Sequence, residues 1–201
     1  MKWIRITPKQ IVVNGQRLPV ESFGAEMLKE VYRSRVGDYP KFFKMDTLCR
    51  LGFLASELLL QVEQPRHSDC EDRAVLLFNR TGSLCDDIEY QATIQSVDHF
   101  FPSPAIFVYT LPNIVTGEIA IRNKYYGETM FCVLPDFDAK AIVESTIETF
   151  QDPVTSSVIT GWIDCIDKNH FNALLLLVEK GDSDFTVPAL NKLYHQYEEL
   201  E

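Results

Sequence analysis

Apolar residues recur along this chain with helical and strand periods in turn. Leu48, Leu51, Ala55, Leu58, Leu59 and Val62 follow one another at the spacing of a single helical stripe. Asp46 stands before that stripe as a cap and Pro65 stops it. Upstream, residues 22–35 read as a helix capped by Ser22, with Met27, Leu28 and Val31 inward, broken by Gly37-Asp38-Tyr39-Pro40. Residues 74–78 form an unbroken apolar run between Arg73 and Asn79, the pattern of a central strand buried on both faces. Thr81-Gly82-Ser83 closes that strand, and a polar helix is expected over 88–97.

A short strand at 130–134 leads into Pro135-Asp136-Phe137-Asp138, where Asp138 caps a helix bearing Ala141, Ile142, Ser145 and Phe150. Residues 157–164 and 173–179 read as two strands pairing across a polar turn. At the front, Ile11, Val12 and Val13 precede Asn14-Gly15, a dipeptide that tolerates the positive φ of a tight hairpin. Residues 102–112 read as an ordered loop. Pro112 fits the first turn of a helix running through Ile114, Val115, Ile119 and Ala120 to Gly127. A last helix starts at Pro188 and places Leu190, Leu193, Tyr194 and Tyr197 on one side, before an acidic end. The alternation predicts an α/β class, one domain over 1–201 with mainly one mixed sheet flanked by helices.

Charge narrows the function. The 201 residues carry a formal net charge of −10, which argues against a nucleic-acid partner. Five cysteines, an odd number without C-x-x-C spacing, read as free thiols in a reducing compartment. The N-terminus has no apolar signal region, and no apolar run approaches the ~20 residues of a membrane span, so a soluble cytoplasmic protein is expected. His67, His99, His170 and His195 read as surface residues. Cys70 and Cys85 lack ligand spacing with any of them, so neither a metal nor a cofactor is expected. Asp86, Asp87 and Glu89 fit an acidic first turn of a helix.

Between Ser103 and Gly127 the chain contains Leu111-Pro112-Asn113, Gly117, Ile119-Ala120-Ile121-Arg122 and Gly127, in that order. This stretch resembles the segment preceding the nucleophile in β-ketoacyl synthases, the thiolase-fold condensing enzymes of fatty-acid and polyketide assembly. Phe43-Lys44-Met45-Asp46 with the helix after it, Thr81-Gly82-Ser83 after its strand, and Gly161-Trp162-Ile163-Asp164 resemble further family segments. The likeness runs over 43–179 and implies an N-terminal half-thiolase domain.

The departures from the family decide the expected function. Nine residues beyond the glycine matched by Gly127, where the family has its nucleophilic cysteine, this chain has Asp136. A carboxylate cannot form a thioester, and at a helix N-terminus it would stay ionised. Cys132, four residues earlier, is the alternative nucleophile, in a run expected to be a buried strand where a thiol is inert. The family's catalytic histidines and lysine belong to its C-terminal half. The resemblance therefore implies a catalytically incompetent subunit, comparable to a chain length factor, bound to a condensing-enzyme subunit or an acyl carrier protein. Acyl transfer or condensation through Cys132, completed by a second chain, is the alternative.

Three surface expectations complete the reading. A lone half-thiolase exposes an apolar layer unless a second copy, another subunit or the extra N-terminal residues cover it. Lys41, Lys44 and Arg50 form a basic cluster suited to docking an acidic carrier. Phe100-Phe101 and Tyr125-Tyr126 read as helix–sheet packing, with an acyl tunnel as the other reading.

Overall fold

A computed structural model of the chain describes residues 1–98 and 100–196. His99, Tyr197 and the acidic end lie outside the described residues. One mixed sheet of seven strands runs through the molecule, with spatial order β3-β2-β1-β7-β6-β4-β5. The strands are β1 (Lys2–Thr7), β2 (Gln10–Val13), β3 (Gln16–Arg17), β4 (Arg73–Asn79), β5 (Thr129–Val133), β6 (Ser157–Asp167) and β7 (His170–Glu179). The helices are α1 (Gly24–Arg35), α2 (Thr47–Leu59), α3 (Leu84–Ile94), α4 (Pro104–Phe107), α5 (Ile114–Asn123), α6 (Ala139–Thr149) and α7 (Val187–His195).

Strand chemistry explains the middle of the sheet. β4 is apolar on both faces and lies between β5 and β6, parallel to each. β6 and β7 pair antiparallel, as their polar turn predicts. Alternate residues of these strands feed two cores. Val75, Leu77, Ile159, Ile163 and Leu175 face α1, α2 and α5. Leu76, Phe78, Trp162, Leu174 and Leu176 face α6 and α7. The result is a three-layer α/β/α arrangement.

Asp46 caps α2 as expected, accepting from the backbone of Leu48 and Cys49. Every residue of α2 except Arg50 is buried. The expected open apolar layer is therefore absent at this helix: α1, the 3-10 turn Pro40–Lys44 and α5 enclose it against the sheet. The N-terminal residues do the covering. Tyr32 stacks on Phe42 at 4.0 Å, and Tyr39 stacks on Phe53 at 5.1 Å.

Several expectations are corrected. The N-cap of α1 is Phe23, not Ser22. No side chain caps this helix; the Glu30 carboxylate instead reaches back to the backbone N–H groups of Glu21 and Ser22. α2 ends at Leu59, and Val62 is 79% exposed because the chain has already left the helix. The polar helix starts at Leu84 rather than 88, and the loop at 102–112 holds α4 and a 3-10 turn at Val108–Thr110. α5 stops at Asn123, where Lys124 turns left-handed with φ 57°. β1 joins the main sheet beside β7, with Ile4 opposite Leu175. Asn14 and Gly15 both take positive φ, 48° and 85°, at the β2–β3 turn.

Candidate functional site

The parallel strands β4, β5 and β6 end at one side of the sheet, the position where open α/β sheets place ligands. A cleft of about 410 Å³ lies there, walled by Arg80, Asp136, Phe137, Trp162, His170 and Tyr194 among others. The turn after β4 forms one wall. Asp164, buried on β6, accepts from the backbone N–H of Arg80 and Thr81 and from the Thr81 hydroxyl, at 3.2, 3.0 and 2.7 Å. The Asn79 side chain bonds both the N–H and the C=O of Gly82. The opposite wall is aromatic: Phe137 stacks on Tyr194 at 3.7 Å and meets Trp162 edge-on at 5.8 Å.

Asp136 lines this cleft from the bend between β5 and α6. Its side chain is 85% exposed and lies 3.8 Å from Arg80. The helix start expected around it falls later. Asp138 is the N-cap and accepts from the N–H groups of Lys140 and Ala141 at 2.9 and 3.0 Å, so Asp136 sits outside the helix terminus. Cys132 does not line the cleft. It lies on β5 opposite Phe78 and packs, half-buried, against the α6 and α7 core. β5 is an edge strand with Thr129 and Val133 exposed, which differs from the fully buried strand expected there. Among the described residues walling the cleft there is no Cys, Ser or Thr. The arrangement can hold a ligand between aromatic and charged walls, the phenol of Tyr194 among them.

The other singled-out residues fall into structural positions. His67 Nδ1 bonds the carbonyl of Arg122 at 3.0 Å, and His170 Nδ1 bonds Asp167 at 2.8 Å. His195 stands edge-on to Phe137 and Tyr194. Arg122 binds Glu57 of α2 and Asp38. Gly127 passes so close under the carbonyl of Arg73 that a Cβ has no room. Lys41 is committed to Glu118 at 2.7 Å and Arg50 to the carbonyls of Phe42 and Phe43, which dismantles the basic cluster with Lys44. Tyr125 packs inward and bonds Arg73, whereas Phe100, Phe101 and Tyr126 are exposed rather than packed between helix and sheet.

Two features had no clear signal in the sequence. Asp86, in the acidic first turn of α3, is buried, and its carboxyl is pushed up to about 9 by burial and by Asp46. The neighbouring Cys165 lowers the Cys85 thiol, while Cys85 and burial raise the Cys165 thiol. All five cysteines are free. Among the described residues no group of three or more His, Cys, Asp or Glu is placed to hold a metal ion. No single described helix is long and apolar enough to cross a membrane.

No protein-family model matches the chain, and no curated protein matches it by sequence. Solved structures do match its fold. The ishigamide ketosynthase/chain length factor aligns with a TM-score of 0.64 at 14% identity, over 90% of this chain and 62% of that one. The ketosynthase (ApeO) in complex with its chain length factor (ApeC) from Xenorhabdus doucetiae aligns at 0.57 and 16% identity, over 91% and 79%. A β-ketoacyl synthase from Burkholderia phymatum STM815 aligns at 0.54 and 13% identity, over 72% and 45%. This chain thus spans less than two thirds of the first of these and under half of the third. At such identities the likeness speaks for architecture: the chain has the ketosynthase-like, thiolase-type fold found in condensing enzymes and in their complexes with chain length factors.

Proposed function

We propose that this chain is a non-catalytic ketosynthase-like subunit that binds a condensing-enzyme subunit in fatty-acid, polyketide or aryl-polyene-type assembly. The observation that carries the reading is the free edge of β5. Among the described residues that strand pairs only with β4. Beside it an apolar groove of about 440 Å³ runs between α5 and β5, lined by Gly117, Ala120, Ile121, Tyr126 and Thr129 among others. Ile121, Tyr126 and Val133 are each more than half exposed. An unpaired edge flanked by exposed apolar side chains is a template for adding a partner's strand and burying its surface. Neighbours in the same fold are ketosynthases in complex with chain length factors, which supports a partner of that class. Asp136 at the nucleophile's position supports a non-catalytic role. An acyl carrier protein is the less favoured partner, because this chain is acidic and the expected basic patch is spent on internal contacts.

The alternative enzyme rests on Cys132, whose edge strand leaves it half-buried rather than sealed. One experiment separates the readings. The purified chain is incubated with acyl thioesters and an epoxide inhibitor of condensing enzymes, then weighed intact. It is also mixed with a ketosynthase subunit from its own source and examined by native mass spectrometry. A heteromer that is lost on Ile121→Asp, with no adduct on the chain, is the expected result. A stoichiometric adduct lost on Cys132→Ala overturns the non-catalytic role. Self-association alone overturns the heteromeric one.

A further inference from the structure

Arg66 and Arg122 share one buried carboxylate, far from the cleft above the strands. Arg66 Nη2 lies 2.6 Å from one oxygen of Glu57, and Arg122 Nη2 lies 3.0 Å from the other. Each guanidinium has a second anchor on the same nitrogen: Asn123 accepts from Arg66 at 3.0 Å, and Asp38 from Arg122 at 2.6 Å. Arg122 also lies over the rings of Tyr39 and Phe53, at 5.1 and 5.9 Å. Both forks are therefore fixed before any ligand arrives. Among the described residues the Nη1 groups make no hydrogen bond. Only the Nε atoms of these two arginines are buried without a partner, so the Nη1 groups remain open to solvent.

Arg66 and Arg122 line a polar cleft of about 170 Å³ together with Arg35, Asp38, Glu57 and His67. Arg35 is exposed in the last turn of α1 and makes no ion pair among the described residues. Three arginines face two carboxylates there, a local positive excess on a chain whose net charge is −10. We infer that this cleft binds a phosphate-class oxyanion, either inorganic phosphate or a phosphate monoester. Planar guanidinium forks match oxygens arranged around phosphorus, and their pre-set orientation reduces the ordering cost of binding. A tetrahedral dianion can meet both Nη1 groups and Arg35 from separate oxygens spread in three dimensions, whereas a carboxylate presents two oxygens in one plane.

The test is calorimetric titration of the full chain with inorganic phosphate and with O-phosphoserine, against chloride at matched ionic strength. Saturable binding is expected for at least one of the two, and the tighter one identifies free ion or ester. Arg35→Gln is expected to weaken it by about tenfold, since it removes one charge-assisted contact. Arg33→Gln, on the same turn but outside the cleft, is expected to leave it unchanged. No saturable heat beyond the chloride control overturns the inference, as does equal weakening by both variants.

Discussion

Asp86, in the first turn of α3, is buried beside the carboxylate of Asp46, the residue that caps α2. Burial, and then the neighbouring negative charge, hold the Asp86 carboxyl up to about 9. An unfolded aspartate releases its proton near pH ~3.9. Between those values the folded chain keeps a proton that the unfolded chain has lost. The stabilising contribution is thus intact below the unfolded pKa, drains away as pH rises, and is gone above the folded value. Asp86→Asn keeps a donor for Asp46 and removes the titration. Melting curves of the two proteins are expected to converge near pH 4 and separate with rising pH. At pH 8.5 the variant should be more stable by at least ~1 kcal/mol, roughly 2–4 °C for a chain this long. Parallel pH profiles would disprove the raised Asp86 carboxyl.

Glu57 presents the opposite case, a buried carboxylate set between two cations. Its two oxygens neutralise Arg66 and Arg122, both largely buried. Glu57→Gln leaves Arg66 with only the neutral Asn123 and Arg122 with only the Asp38 carboxylate, and breaking such a pair costs about 3–5 kcal/mol. Urea denaturation is expected to show a loss of that order. Glu57→Gln combined with Arg122→Met should recover part of it, because the stranded charge goes too. A single-variant loss below ~1 kcal/mol would mean that the network is solvated rather than buried.

Legibility in the sequence followed the range of the forces involved. α2 and β4 were readable because their caps, periods and stops are local: Asp46, the stripe from Leu48, and the run at 74–78. The β6–β7 pair was readable for the same reason. β1 was not, because its Arg5 looks like an exposed position. In the fold Arg5 is fully buried, and its guanidinium bonds the carbonyls of Ala173 and Tyr194 and the side chain of Asn172. Nothing within a window around residue 5 announces partners that distant. The same limit hid the site chemistry. Asp86 reads as a solvated first-turn acid until α2 brings Asp46 to it, and Arg66 joins Arg122 only through Glu57. The likeness of the 103–127 stretch to the condensing enzymes did point to the observed fold.

Gly127 lies against β4's entry. A Cβ at this position falls on the carbonyl of Arg73, which is backbone and cannot swing aside. Gly127→Ala must therefore push β5 away from β4, just where Glu128 C=O accepts from the N–H of Val75. The variant is expected to lose about 2–4 kcal/mol by the overpacking penalty with a weakened ladder. Hydrogen exchange at Val75 should rise more than exchange at Leu175 in the β6–β7 core. Gly117, whose Cβ meets nothing within 4 Å, provides the control: Gly117→Ala is expected to be neutral or stabilising in the middle of α5.

Asp136→Cys tests whether the chain lacks only a thiol. Cysteine reactivity depends on a stabilised thiolate, and helix N-terminal N–H groups are a common way to provide it. Here Asp138 already occupies the first free N–H groups of α6, and its own negative charge lies two residues from position 136. The nearest cation, Arg80, is 3.8 Å from the aspartate and half exposed, so solvent screens it. A cysteine at this bend is therefore expected to titrate near the ordinary thiol value of about 8.5 and to react with iodoacetamide at pH 7 no faster than a solvated thiol. Acyl thioesters are expected to leave it unmodified. The measurement is the pH dependence of alkylation in a background where the half-buried Cys70, Cys85 and Cys132 are serine, so that none contributes. A rate that stays high down to pH 6 would show that the cleft stabilises a thiolate at this bend in spite of Asp138, and that Arg80 outweighs solvent screening.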